Sequence, residues 1–483
     1  MAAAVYHKIS IELPANYMEK LFSFIYTQYL LPQKQRFTNF YRETTYGVPF
    51  LSYVVLDSQG KQLLKAEVKG TLPIEVKIIP IDWAVTDTAI EEAKQDIVIA
   101  VQIFEEHARK STLYFAWREG EDIVPETLRK HEKSFRRLFL ETQILFFVVF
   151  ITLGTFVFLA LTVIYPEAVW IAPVILIAVQ FVFVFYSAKF IARTADWHIT
   201  KANPTIHLLK YNLPIKEQSD IKQTLTQNQV LAIKKQVYDE ILAKHGEIDC
   251  DAAQKVFEKY GITCTTDNFS AKKVNVYELV KKVADKFGFP VPKIVVSNTM
   301  VPNAAASGPS PSRGVVLITT GLLVQLEEEE VISVLGHEFG HLKGRDPLLL
   351  YGLTSAEFLF RFYVLFPLFP FIFGSFLFFV YFWAVMVVIF FIAKFFEARA
   401  DLISAIKMGK PEVLAGALEK IGFQRLLYER TPSFRIQEWV GLDPHPPIYF
   451  RINRLEKLEA PEKVKYPLIQ SIKDVLSGFK DTI

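Results

Sequence analysis

Four long apolar stretches alternate with polar and amphipathic segments along this chain of 483 residues. Each stretch is long enough to cross roughly 30 Å of hydrocarbon as an α-helix. A tight link joins the first two stretches and another joins the last two, and neither link contains lysine or arginine. The pattern predicts two transmembrane hairpins, built from residues 144–165 with 168–188 and from 348–370 with 374–393.

Basic residues cluster on the outer flanks of both hairpins. Because lysine and arginine favour the cytoplasmic ends of membrane helices, the flanks are predicted to be cytoplasmic, and so are both chain termini. The flanking residues are Arg129, Lys130, Lys133, Arg136, Arg137, Lys189, Arg193, Lys201, Lys343, Arg345, Lys394 and Arg399.

Two charged residues, Glu357 and Arg361, interrupt the third predicted span at a spacing of one helical turn. Charged side chains inside a span are costly, so they are usually paired or face a cavity. We predict a mutual ion pair, and contact with a substrate is the alternative.

The first 137 residues have the composition of a soluble domain. Short runs of strand-forming residues alternate with segments of helical apolar spacing, which predicts a small α+β domain. The predicted strands are 5–13, 51–56, 62–68 and 74–79, and the predicted helices are 15–31 and 86–109.

Candidate chemistry lies in a helix predicted just before the second hairpin. His337 and His341 are four residues apart, so on a helix they can present ring nitrogens to one metal ion. Glu338 can reach the same point and act as a base on a water there. Acidic residues precede this stretch and Gly344 follows it, which marks the two ends of the helix. A surface helix that happens to carry two histidines is the alternative.

A second acidic pair directly follows the last apolar stretch. Glu397 and Asp401 share one face of a helix. Glu397 would supply a third metal ligand and leave the fourth position open, and Asp401 would accept a hydrogen bond from the other ring nitrogen of a ligand histidine. Without the preceding histidines, the pair would be an ordinary end of an amphipathic helix.

A segment of small residues, 303–306, lies between two predicted strands. Such a segment would suit an edge strand beside a metal site, because an extended peptide can pair with its backbone. A loop that contains alanines is the alternative.

Composition fits a membrane protein with sizeable soluble parts, because 51% of the residues are hydrophobic, 42 are phenylalanine and the mean hydropathy is +0.24. The net charge of +3 gives no indication of nucleic-acid binding. Cys250 and Cys264 are too few for a disulfide framework, and we predict reduced thiols in a cytosolic region. The N-terminus has no basic start followed by an apolar core, so no cleaved signal peptide is expected.

Four motifs together carry a resemblance. They are Asn303-Ala304 ahead of a strand, His337-Glu338-x-x-His341, Glu397-x-x-x-Asp401, and His445-Pro446-Pro447 followed by Arg451. With them the chain resembles the membrane zinc metalloproteases of the HtpX type, whose relatives include the CAAX prenyl-protein proteases. The resemblance covers residues 273–457 and the placement of the first hairpin. The long N-terminal domain and the 201–272 insertion depart from it.

The resemblance implies a membrane α+β protein with a mainly helical gluzincin-type protease domain and a small β-sheet. It implies one zinc ion per chain, bound by His337, His341 and Glu397, with Glu338 as the general base. The expected segments are an N-terminal soluble domain of unassigned role (1–137), a transmembrane hairpin (138–193), a cytoplasmic helical insertion (194–272), the first part of the protease domain (273–346), a second hairpin (347–396) and the second part of the protease domain (397–483).

The function implied is zinc-dependent cleavage of cytoplasmic segments of membrane proteins, mainly misfolded or damaged ones. His445 and Arg451 are expected near the site, where they would stabilise the oxyanion or support the ligands. The expected partners are polypeptide substrates and the lipid bilayer, the expected location is the cell membrane, and the oligomeric state is left open. The alternatives are a CAAX-type protease of prenylated tails and a membrane scaffold without turnover.

Overall fold

The computed structural model describes residues 4–81, 85–125, 170–213, 225–373 and 375–482, together with residues 160, 163, 164 and 167. The first predicted span, 144–165, therefore lies almost wholly outside the described residues. Contacts divide the chain into two compact units. Unit 1 contains Met1–Phe115 and Leu208–Lys272, and unit 2 contains Ala116–His207 and Lys273–Ile483.

Twelve β-strands lie within the described residues, in three sheets. The strands are β1 (Val5–Ile9), β2 (Phe37–Thr45), β3 (Val48–Leu56), β4 (Gln62–Lys69), β5 (Ile74–Pro80), β6 (Thr112–Trp117), β7 (Trp197–Ile199), β8 (Thr205–Asn212), β9 (Phe269–Asn275), β10 (Lys293–Ser297), β11 (Ala304–Ser307) and β12 (Val315–Thr319). The strand orders are β1-β5-β4-β3-β2, β11-β12-β10-β7 and β6-β8-β9.

The α-helices form the larger part of the described structure. They are α1 (Met18–Phe24), α2 (Asp87–Arg109), α3 (Ala172–Thr194), α4 (Gln227–Glu240), α5 (Cys250–Phe257), α6 (Val276–Phe287), α7 (Thr320–Gln325), α8 (Glu328–Gly344), α9 (Asp346–Phe360), α10 (Phe366–Leu368), α11 (Pro370–Phe373), α12 (Phe376–Met408), α13 (Pro411–Glu429), α14 (Pro432–Val440), α15 (Ile448–Glu456) and α16 (Pro467–Lys480). Two π-helical segments, Ile25–Leu30 and Arg361–Leu365, continue α1 and α9.

Unit 1 is built on the antiparallel five-stranded sheet. Alternate residues of β4 and β5 are buried, as the period of two in a strand requires when one face packs on a core. The buried set comprises Leu64, Ala66, Val68, Ile74, Val76 and Ile78. Helix α2 packs against β4 and β5, and Thr86 caps its start by accepting a hydrogen bond from the backbone N–H of Ala89.

The two cysteines of unit 1, Cys250 and Cys264, form a disulfide. The prediction of reduced thiols was therefore wrong. Cys250 is the first residue of α5, and Gly261 beyond that helix has a positive φ of 72°. The chain turns back there, so Cys264 returns to the start of the helix with a Cα–Cα distance of 5.8 Å. Two cysteines in a sequence do not reveal this return, because it depends on the turn.

The sheet of unit 2 has β11 at its edge. Strands β10 and β12 are parallel, and β11 pairs with β12 antiparallel. Among the described residues one side of β11 has no strand partner, so of the two alternatives for residues 303–306 the structure shows the edge strand rather than the loop. Helix α3 packs on this sheet through a small apolar cluster of Ala188, Ala192, Val295, Val315 and Leu317.

Helices α8 and α12 approach each other closely along a line of glycines. A Cβ atom at Gly336 would lie 2.7 Å from Oγ of Ser404, and one at Gly340 would lie 3.0 Å from Cα of Ala400. Larger residues would force the helices apart. The Ser404 hydroxyl also donates a hydrogen bond of 2.7 Å to the backbone carbonyl of Ser333. This contact sets the separation between the two helices that carry the candidate metal ligands.

Three helices within the described part of the chain are long and apolar enough to cross a membrane. They are Ala172–Arg193, Asp346–Leu368 and Phe376–Met408. The last extends well beyond the predicted 374–393 and is continuous with the segment that carries Glu397. Glu357 and Arg361 form the predicted ion pair, with 3.0 Å between Oε1 and Nε, and Tyr381 donates to the same carboxylate.

Candidate metal centre and active site

Two helices place three possible metal ligands at one point. Helix α8 supplies His337 and His341 from one face, and α12 supplies Glu397 from across the glycine contact. One ligand atom from each residue lies within 4.8 Å of the others. The three side chains are buried or nearly so, which shields their donor atoms from bulk water. The structure thus brings together the ligand set that the sequence predicted.

The donor spacing fits a small tetrahedral ion. The Nε2 atoms of the two histidines are 3.1 Å apart, and the nearest Glu397 oxygens lie 3.5 Å from His337 and 3.4 Å from His341. Ligands at zinc-type bond lengths of roughly 2.0–2.1 Å are about 3.3 Å apart at the corners of a tetrahedron. Oε2 of Glu397 is buried and accepts no hydrogen bond. A cation between these atoms would satisfy all of them.

Asp401 and Arg451 hold His337 from behind. Oδ1 of Asp401 lies 2.8 Å from Nδ1 of His337, although the ring N–H is not aimed straight at it. Arg451 grips the same carboxylate with two hydrogen bonds of 2.8 and 2.7 Å. The ring is therefore oriented with Nε2 towards the shared point. Arg451 was expected near the site, and the structure places it behind a ligand rather than on the open side.

His341 has an equivalent support that the sequence analysis missed. Its Nδ1 lies 2.8 Å from Oδ2 of Asp346, and the other oxygen of Asp346 is paired with Arg399. Arg345 adopts a left-handed conformation and ends α8. The chain turns there, so that Asp346, five residues after His341, lies beside the ring of that histidine. The signal in the sequence was an aspartate just beyond the end of α8. An aspartate at that position is usually attributed to capping of the next helix.

The carboxylates around the histidines create a negative field at the shared point. Burial alone would lower the pKa of His337, but the carboxylates of Asp401 and Glu397 raise it to about 10. The pKa of His341 is also raised against the effect of burial, by Glu397 and Asp346. A field that favours a proton on these rings equally favours a metal cation between them.

Glu338 lies between the ligand set and the edge strand. Its Oε2 accepts a hydrogen bond of 2.8 Å from the backbone N–H of Ala306 in β11. Burial raises the pKa of the Glu338 carboxyl, against the opposing charges of the two histidines. Ala304 begins the same strand, and the backbone of Asn303 is bonded to Thr319 on β12. Glu338 and the edge strand β11 are thus in direct contact.

His445 approaches the centre from the loop before α15. Its Nε2 lies 3.5 Å from Oε2 of Glu397, and its Nδ1 lies 2.9 Å from Oδ1 of Asp443. Burial favours protonation of Asp443, but His445 and Arg425 hold its pKa well below the usual range. With 39% of its side chain exposed, His445 borders the open side of the centre. Asp443 was not among the predicted site residues.

Glu429 anchors the helix that follows this loop. Its two carboxylate oxygens accept the backbone N–H groups of Ile448 and Tyr449 at 2.8 and 2.9 Å. Burial raises the pKa of Glu429 to about 7 in spite of these bonds. Because α15 carries Arg451, this buried cap fixes the residue that in turn holds Asp401.

The comparisons with known proteins cover this same region. Residues 270–459 match the family model described as Peptidase family M48. The chain is 31% identical over 223 residues to the Protease HtpX homolog of Desulforapulum autotrophicum, which covers 37% of this chain and 67% of that relative. It is 30% identical over 220 residues to Protease HtpX homolog 2 of Methanosarcina acetivorans, covering 38% and 72%. The chain belongs to peptidase family M48.

This HtpX-like member of the family carries its matched part entirely within the second half of the chain. All the predicted site residues, from Asn303 to Arg451, fall inside the matched residues. The similarity is higher over shorter lengths. The Protease HtpX homolog of Thermodesulfovibrio yellowstonii is 42% identical over 79 residues, which is 16% of this chain and 28% of that relative.

Proposed function

We propose that this chain is a zinc-dependent endopeptidase that cleaves polypeptide segments at a membrane surface. The observation that carries the proposal is the meeting of five elements in one place. They are two histidines and a carboxylate at tetrahedral spacing, a half-buried carboxylate beside them, and an edge strand bonded to that carboxylate. A scaffold without turnover would have no use for Glu338 in that position.

Each residue of the site has a separate role in the proposed reaction. His337, His341 and Glu397 would hold one zinc ion, which acts as a Lewis acid on the substrate carbonyl and makes water more acidic. Glu338 accepts the proton of the attacking water, and its raised pKa makes it a stronger acceptor. It then delivers that proton to the leaving amine. His445, on the open side, donates to the developing oxyanion.

The edge strand is the binding site that we propose for the substrate backbone. An extended peptide would add to the open side of β11, where the side chains of Ala304 and its neighbours are small. Because the N–H of Ala306 is held by Glu338, the arriving peptide meets the base directly. Asn303 directly precedes the strand and is held by its hydrogen bonds with Thr319.

Contacts of the site with the candidate spans support membrane proteins as substrates. Helix α9 begins at Asp346, whose carboxylate is bonded to His341. Strand β11 ends at Ser307, whose hydroxyl lies 3.0 Å from that of Ser187 on α3. The end of the proposed substrate-binding strand thus lies beside a candidate span. We propose that the natural substrates are membrane proteins, with misfolded or damaged ones as the principal class.

The side of the membrane is also a proposal. The basic flanks favour a multi-pass protein of the cell membrane, with the catalytic part and both termini in the cytoplasm. The Cys250–Cys264 disulfide is the observation that argues against this orientation, because disulfides are rare in the cytosol. An impermeant thiol reagent should modify Glu412→Cys only after intact cells are opened. Modification in intact cells would reverse the orientation.

The proposed function is tested by metal content paired with cleavage of casein, using the full chain purified in detergent. Wild type and Glu338→Gln should both contain about one zinc ion per chain, and the variant should lose cleavage by about 10²–10⁴. Glu328→Gln, on the exposed start of the same helix, is the matched control and should behave as wild type. Unchanged cleavage in Glu338→Gln, or no zinc after reconstitution, would refute the proposal.

A further inference from the structure

Helix α12 changes its surroundings part-way along its apolar stretch. Large apolar side chains are exposed from Phe376 as far as Val388, which is 57% exposed, and the turn that follows is covered by protein. Phe391 is about 22 Å along the helix from Phe376 at 1.5 Å per residue. That distance is less than the roughly 30 Å of a hydrocarbon core. For a span that enters the hydrocarbon core at Phe376, Phe391 and the elements that cover it therefore lie near the opposite surface of that core.

Helices α14 and α16 are among those elements. Trp439 of α14 and Val475 of α16 form one buried cluster with Ala398 of α12, and Phe391 packs against this cluster. The rings of Phe391 and Phe479 are 5.3 Å apart. These contacts fix α14 beside the end of the apolar stretch of α12.

The end of α13 is held at the same level. Lys394 of α12 donates to the backbone carbonyl of Asp443, and Arg425 of α13 lies 3.1 Å from the carboxylate of that residue. The start of α13 lies at the far end, because Pro411 follows α12 directly and Lys410 pairs with Glu329. Helix α13 thus runs back towards the membrane, with Glu412 at its distant end.

The surface formed by residues 424–440 has no charged residue among its fully exposed side chains, although Arg425 and Glu438 are 33% and 29% exposed. Its exposed members are Gln424, Leu427, Tyr428, Thr431, Ser433, Phe434, Ile436, Gln437 and Val440. We call this surface the 424–440 face. A helix of ordinary amphipathicity turns its charges to water and its apolar residues to the core. Here large apolar side chains point outward, with Tyr428 62% exposed.

The charged residues of the same segment are turned towards the protein. Arg425 pairs with Glu438, so both charges are used within the fold. Arg435 donates to the backbone carbonyl of Glu429 at 2.6 Å and lies over the ring of Tyr449. Glu429 is buried and caps α15. The pattern is the inverse of a water-facing helix.

We propose that the 424–440 face lies in the surface of the lipid bilayer and holds this side of the active site against it. The position of α14 beside the end of the apolar stretch of α12, a candidate span, favours lipid over a protein partner as the occupant. Exposed Tyr428 and Phe434 suit the headgroup region, where aromatic side chains accumulate. The loop with His445 follows α14 directly, so the bilayer would also fix the open side of the metal centre.

The test uses single cysteine variants of the full chain, labelled with NBD maleimide and reconstituted in phosphatidylcholine vesicles. Tyr428→Cys and Ile436→Cys should lose fluorescence when doxyl-labelled phosphatidylcholine is added. Glu412→Cys, at the other end of the same α13 helix, is the matched control and should keep its fluorescence. Wild type labelled in the same way gives the background of the two native cysteines.

Two outcomes would overturn the proposal. Quenching no greater at 428 and 436 than at 412 would place the face in water. Blue-shifted emission at 436 that lipid quenchers do not reduce would show that a protein surface covers it, either a second copy or another partner. Neither the quenching nor the emission shift depends on cleavage, so the test is independent of the proposed proteolytic function.

Discussion

Both units bury clusters of charged side chains, but the clusters are organised differently. In unit 1, Glu12 and Glu105 are surrounded by Arg109 and Lys210. In unit 2, carboxylates and arginines surround two histidines. Both clusters are desolvated and both perturb the pKa values of their members. Burial and charge alone therefore do not distinguish a structural cluster from a site.

The difference lies in what each cluster leaves open. In unit 1 the cluster closes on itself, since Arg109 pairs with Glu12, while Glu105 accepts hydrogen bonds from Gln102 and from the backbone N–H of Glu12. In unit 2 each supporting aspartate contacts both an arginine and a histidine Nδ1. Both Nε2 atoms then face one point together with Glu397. Converging donor atoms, rather than buried charge, mark the candidate metal centre.

The largest expected effect breaks the convergence. Glu397→Ala should lose bound metal and reduce casein cleavage to the level without enzyme, because two imidazoles alone leave a cation without its carboxylate ligand. Metal analysis and cleavage of the purified chain measure both. Glu105→Gln removes an equally buried carboxyl from unit 1 and should retain metal and activity. Equal metal loss in both variants would show that the two clusters are not functionally distinct.

The second effect belongs to unit 1 alone. Cys250→Ser with Cys264→Ser should lower the free energy of unfolding of unit 1 by about 3 kcal/mol, because the disulfide closes a loop of roughly 15 residues in the unfolded chain. Hydrogen exchange of α4 and α5 would report the loss, and metal content should stay the same. A wild-type chain whose cysteines react with maleimide in denaturant without reductant would contradict the disulfide.

Sequence reasoning was strongest where one local pattern decides the structure. The spacing of His337 and His341 specifies a shared helix face, and the helix predicted at 86–109 begins and ends within a residue of α2. Strands at 51–56 and 74–79 were also found, the first as a continuous run of buried strand-forming residues and the second by its alternation. Small side chains between strand signals suggested an edge strand at residues 303–306 but left a loop as the alternative, and the strand lies at Ala304–Ser307.

What sequence reasoning missed depends on contacts between distant segments. Strand β2, 37–45, has polar residues at most positions, so its pairing with β3 left no apolar alternation to read. The Asp346–Arg399 pair joins residues far apart in the chain, and neither residue alone suggests it. The disulfide depends on a turn at Gly261. The glycine line on α8 signals close packing but does not name α12 as its partner.

The third effect is a pH dependence of the stability of unit 1. Burial and the neighbouring charge of Glu12 raise the pKa of Glu105 from its ordinary 4.5 to about 7. The stability contributed by this group is therefore complete below about pH 4.5 and is lost as the pH rises through about 7. The free energy of unfolding of unit 1 should fall by about 2 kcal/mol between pH 5 and 8.

Glu105→Gln should remove that slope, because an amide does not ionise. Gln102 has a buried oxygen without a hydrogen bond and can rotate to accept from the new amide. Hydrogen exchange of α2 at several pH values, corrected for intrinsic rates, measures the slope. A variant as steep as wild type would assign the pH dependence to another group.

The smallest effect separates the two supports within unit 2. Asp346→Asn should lower metal affinity by about tenfold, since the amide keeps the shape of the carboxylate but loses its charge towards His341 and Arg399. Asp401→Asn should lower it somewhat more, because Asp401 is 1% exposed and bonded twice by Arg451. Competition with a chelator at fixed pH measures both affinities.

This last comparison also tests what the supports do. If charge on the aspartate tunes the histidine, the asparagine variants lose affinity while Asp346→Ala loses more, because it removes shape as well. If the aspartate only orients the ring, Asp346→Asn binds metal as wild type does and Asp346→Ala alone is impaired. The first pattern means that the negative field around the histidines contributes to binding; the second means that geometry is sufficient. Only the first fits the field that raises the pKa of His341 against its burial.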